Sequence, residues 1–154
     1  FIPSMNIGSF YAKAWAWLCT AENVELWDEE RHIHLNMINN HQILWNIMLF
    51  IEPERNYLVV RWFNPRADFL QTVDVDAISK IMIETVKEFA KENNFEKVYI
   101  PKQSWWHELS NRDQVGKSVW NFALKNRDHK DFEIETKFEC SNEWHHTINY
   151  LYKI

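Results

Sequence analysis

QILWNIMLFIEPERNYLVVRWF, residues 42–63, decides the fold. Two nearly continuous apolar runs, 42–52 and 56–63, flank the turn-forming triplet Pro53-Glu54-Arg55. Strands covered on both faces carry such unbroken apolar runs, whereas half-exposed strands alternate. The stretch is expected to form an antiparallel hairpin at the centre of a sheet, with Trp45 and Trp62 in its core.

Upstream, Arg31–Ile38 alternates Ile33, Leu35 and Met37 against His32, His34 and Asn36, the pattern of a half-buried strand. Before it, Phe10, Ala14, Trp17, Leu18 and Ala21 share one helical side, so a helix is expected over about 9–22 with Ser9 as its cap. Downstream, a polar connection containing Pro65 leads to Asp74 or Asp76, either of which can cap a helix reaching residue 92. Ile78, Ile81, Met82, Val86, Phe89 and Ala90 share a side of that helix, and Asn93-Asn94 ends it.

Lys97–Pro101 reads as a short strand stopped by proline. Strand, helix, strand in this order implies a parallel crossover that places 97–101 beside 56–63. Ser110 with Asp113 announces a second helix over 111–126, with Val115, Val119, Phe122 and Ala123 on one side. FEIETKFEC (132–140) alternates apolar and charged residues like a strand near an open edge, and His146–Ile154 alternates as its return.

Composition limits the function. The chain has 154 residues, 46% apolar and 25% charged, which suits one globular domain over 1–154. It opens on Phe1-Ile2-Pro3, which reads as a domain or piece of a longer protein. A net charge of -5 without a basic block removes the attraction to phosphate that nucleic-acid binders use. Cys19 and Cys140 form no disulfide framework, so a reducing, cytoplasmic setting is expected. AKAWAWLCTA (12–21) is too short to span a bilayer. Nine tryptophans against two glycines make rigid aromatic surface plentiful and phosphate-cradling loops scarce.

The expected class is α+β, a mixed and mostly antiparallel central sheet with helices on both faces. Over roughly residues 30–154, the order of central hairpin, helix, parallel strand, second helix and closing hairpin resembles the second half of the GNAT acyltransferase superfamily. That resemblance implies an acyl-CoA cofactor lying where the two parallel strands splay, its pyrophosphate on amides at the start of the first crossover helix. It implies that Trp62, Phe63 and Asn64 hold the cofactor, the first two by their backbone.

The family's Gln/Arg-x-x-Gly-x-Gly/Ala motif belongs in the connection 64–76, which here holds no glycine but does hold Asp68, Asp74 and Asp76. The family's asparagine after the parallel strand is matched by Asn111. Its later tyrosine has no counterpart, since none stands between residues 100 and 149, and Trp120 is the nearest aromatic on that helix.

KQSWWHELSNRD (102–113) lies at the carboxyl end of the parallel strand, where mixed sheets tend to bind ligands. There His107 and Glu108 are the candidate base or acid. The structural alternative makes one tryptophan a cover for the sheet end and the other a staple beside the capped helix, with His107 and Glu108 solvated. His32-x-His34 puts two imidazoles about 7 Å apart on one strand face, which read as polar-face histidines; a zinc site would need further ligands such as His145 or His146. Gly116-Lys117-Ser118 imitates the end of a P-loop, but Asn111 stands where that loop needs its first glycine.

Trp27 and Trp144, in polar surroundings, are the candidate surface tryptophans. Two functions follow: a GNAT-type acyltransferase with a degenerate cofactor loop, or a GNAT-like module without catalysis that binds a small molecule, peptide or protein.

Overall fold

A computed structural model describes residues 32–52, 56–101, 109–110, 112–126 and 151–153. The fold is α+β. Its elements are β1 (His32–Asn39), β2 (Gln42–Glu52), β3 (Tyr57–Pro65), α1 (Ala67–Leu70), α2 (Val75–Glu92), β4 (Lys97–Pro101), α3 (Asp113–Asn126) and β5 (Leu151–Lys153). The strands form one open sheet in the order β1-β2-β3-β4-β5, antiparallel except for the β3–β4 pair.

The hairpin expected at residues 42–63 is present, and its apolar strands lie at the sheet centre. Alternate residues of β2 and β3 serve different faces. Trp45, Ile47, Leu49, Leu58, Val60 and Phe63 join one buried cluster with Ile78, Met82 and Val86 of α2 and Val115 and Val119 of α3. This is the helix face. Met48, Phe50, Val59 and Tyr99 are also buried but point to the far face, which explains why the run shows no alternation. Both long helices described here lie on the helix face; the helix expected at 9–22 falls outside the described residues.

The β1–β2 turn places Asn40 at φ 47 and His41 at φ 60. Two positive-φ residues are what a type I′ turn requires, and its twist matches that of the strands it joins. The second hairpin enters β3 through Asn56 at φ 53, whose Nδ2 donates to the Asn94 carbonyl at 2.8 Å, while Glu96 N–H donates to the Asn56 carbonyl at 3.2 Å. The starts of β3 and β4 are thereby tied together. On the far face Tyr57 and Tyr99 have ring centroids 5.2 Å apart, and Lys97 Nζ lies 5.2 Å from the Tyr57 centroid.

Asp74 caps α2, its Oδ1 accepting from Ala77 N–H at 2.7 Å, so this helix starts at Val75. The start of α3 differs from expectation. Ser110 Oγ accepts from Arg112 N–H at 3.1 Å, and the Arg112 carbonyl accepts from Val115 and Gly116, so the helix begins at Asp113. Serine two residues ahead forms a turn that delivers the chain to the helix.

Four residues of the polar connection form α1, which the sequence does not announce. Leu70 is buried there, and Arg66 fixes its entry: its N–H donates to the Leu44 carbonyl, and its guanidinium pairs with Asp68 and donates to Gln42 at 3.0 Å. Of the closing hairpin only 151–153 is described, as a strand antiparallel to β4. The strand expected at 132–140 lies outside the described residues.

Candidate functional site

The sheet's only parallel step among the described residues builds the candidate site. β3 and β4 pair over Tyr57↔Lys97, Leu58↔Val98 and Val59↔Tyr99, and then part. β3 continues to Pro65 without β4 beside it. A β-bulge sits at the parting: Met48 faces Trp62 and Leu49 faces Val60, leaving Arg61 as the extra residue. Bulges bend the strand that carries them and disrupt local pairing, so the divergence has a local cause. β3 is thus tied to β4 at its start, and its residues beyond the register shift at 61 have no β4 partner.

Backbone at Leu109, ahead of α3, bonds to this half of β3 instead. Phe63 N–H donates to the Leu109 carbonyl at 2.8 Å, in place of a β4 partner. Phe63 and Leu109 are both 0% exposed and belong to the helix-face cluster. The amide that a splayed strand offers to a ligand carbonyl is therefore engaged within the chain.

The start of α2, which faces the carboxyl end of β3 in the chain order, carries two carboxylates. Asp74 occupies an amide of the first turn, and Asp76 Oδ1 accepts from the Ser118 hydroxyl of α3 at 2.5 Å. A carboxylate at a helix N-terminus takes the place an anionic ligand would use. Residues 64–76 contain no glycine that would let backbone approach a diphosphate.

Of the residues singled out in the sequence, Trp62, Phe63 and Asn64 lie together on the diverging half of β3. Phe63 points into the helix-face core, while Trp62 and Asn64 occupy the far face; Trp62 is half-buried and Asn64 is 2% exposed. His107, Glu108 and Asn111 fall outside the described residues, as do His145, His146, Trp27 and Trp144. Among the described residues no three His, Cys, Asp or Glu side chains gather as a metal site. No described helix is long and apolar enough to cross a membrane.

A polar row on the far face was missed in the sequence. Asn36, Asn46 and Asn64 stand directly opposite one another on β1, β2 and β3. Asn46 Nδ2 donates to Asn36 Oδ1 at 2.7 Å and lies 3.4 Å from His34 Nδ1. The available signal was Asn46 itself, a carboxamide inside the otherwise apolar QILWNIMLFIE.

No protein-family model matches this chain, and no curated protein matches it.

Proposed function

We propose that this domain is a non-catalytic binding module with a GNAT-like sheet, in which the cleft that would receive an acyl-CoA is closed by its own chain. The observation that carries the reading is the hydrogen bond from Phe63 N–H to the Leu109 carbonyl. An acyl thioester needs that amide free, and opening it means removing a fully buried leucine from the core. Asp74 and Asp76 at the start of α2 support the same reading, because they set negative charge where a diphosphate would lie. The partner class is a small molecule, peptide or protein.

The acyltransferase is the second reading, and one observation favours it: the divergence of β3 from β4 after three residue pairs, at a bulge. Catalysis by Glu108 or His107, with Trp62, Phe63, Asn64 and Asn111 around the cofactor, requires Leu109 to withdraw.

Titration with acetyl-CoA, followed by thermal unfolding, separates the two. A ligand at ~100 times its Kd adds ~2.7 kcal/mol, which for a domain of this size raises Tm by roughly 5–10 °C. The module is expected to show no shift at millimolar acetyl-CoA. A saturable rise in Tm would overturn it in favour of the transferase.

A further inference from the structure

From His32 to Ile51 the chain carries no Lys, Arg, Asp or Glu, although these make up 25% of the whole sequence. That stretch is β1, its turn and nearly all of β2. Burial of β2 at the sheet centre accounts for its own half. β1 needs another reason, because it stands at the edge of the sheet and pairs with β2 alone among the described strands. Edge strands are ordinarily guarded against pairing with another chain by lysines, prolines, bulges or inward-pointing charges. β1, HIHLNMIN, has eight residues and no such side chain. The irregularity in its pairing puts the extra residue, Leu44, on β2 and leaves β1 itself regular.

The end of β1 is open to solvent. Met37 is 37% and Ile38 64% exposed, and Asn39, Asn40, His41 and Gln42 beyond them are exposed too. The outer side of α2 contrasts with this, since its exposed positions include Lys80, Glu84, Glu88 and Lys91.

We propose that β1 is an interface between two copies of this chain, pairing antiparallel with its own copy about a two-fold axis near Met37, so that one sheet runs through both. Charge selects this partner. With a net charge of -5, two copies repel over most of their surface, and the uncharged hairpin is where they meet without like charges in contact. A two-fold pairing sets a segment against itself, so a charge near the axis would face its own sign; β1 has none. Backbone groups along the edge supply the hydrogen bonds, and Met37 and Ile38 supply the apolar area that charge-depleted interface cores favour. The inference goes beyond the closed cleft and does not rest on it, since β2 and β3 separate β1 from β4.

Sedimentation equilibrium from micromolar to millimolar chain is the test, with amide hydrogen exchange of residues 33–39 measured at both ends of that range. A reversible monomer–dimer equilibrium is expected, in which β1 amides exchange more slowly in the dimer. Met37→Lys puts two ammonium groups beside the axis and is expected to raise the dimer Kd about tenfold or more, with Ile38→Lys acting in the same direction. Both side chains are exposed, so neither change disturbs the core. Ile81→Lys is the control: Ile81 is 50% exposed on α2, and its replacement leaves the Kd unchanged. A chain that stays monomeric throughout overturns the proposal. So does a dimer that is equally tight in Met37→Lys, is weakened as much by Ile81→Lys, or leaves the exchange of β1 amides unaltered. The acetyl-CoA titration reads none of these quantities, so the two proposals fail separately.

Discussion

Asn46 is placed so that one atom decides the cost of the polar row. Asn46→Val removes the unmatched carbonyl, while half-buried Asn36 can turn to water, so denaturant melts are expected to show equal or greater stability. Asn46→Asp does the opposite. The introduced carboxyl is buried and faces Asn36 Oδ1, so its folded-state pKa rises above the unfolded value of about 3.9. The loss is then smallest below about pH 4 and grows as pH climbs, reaching roughly 3–5 kcal/mol near neutrality. Melts at pH 3.5 and pH 7 check the sign. Leu109 makes a second prediction at this scale: Leu109→Ala leaves a cavity in the helix-face core and is expected to cost about 2–5 kcal/mol. A smaller loss would mean that Leu109 is held loosely beside β3.

Turns and caps account for where the elements begin and end. His41 holds φ 60 with a Cβ in the left-handed region, so His41→Gly is expected to stabilise the β1–β2 hairpin by up to about 1 kcal/mol. Asp74→Ala is expected to cost about 1 kcal/mol by freeing the Ala77 amide, with Asp74→Ser keeping most of the cap; urea midpoints distinguish them. Much of this level was legible. The β2–β3 hairpin, the body of α2 and the strand at 97–101 follow from apolar runs, a capping aspartate and a terminal proline.

Three features were not legible, each for a physical reason. Four residues of α1 are too few to show a helical period, and Leu70 burial with the Arg66 contacts holds them. The bulge at Arg61 lies in a run apolar on both faces, where no alternation marks a change of register. The start of α3 depends on Ser110 bonding the second residue after it, which a capping pattern reads as the helix cap itself.

At the scale of the molecule, the sheet order and its one described parallel step follow from the chain order of hairpin, helix and strand. The bond from Phe63 N–H to the Leu109 carbonyl does not, because it joins backbone groups that almost any side chains at those positions would allow. A polar row across three strands is equally hidden, since register decides which asparagines meet. Closure of the site turns on the Phe63 amide, whose hydrogen exchange is the direct measurement. Protection approaching that of global unfolding, unchanged by millimolar acetyl-CoA, is the expected result. Exchange as fast as an open loop, or a Phe63 amide resonance that moves saturably with acetyl-CoA, would contradict it.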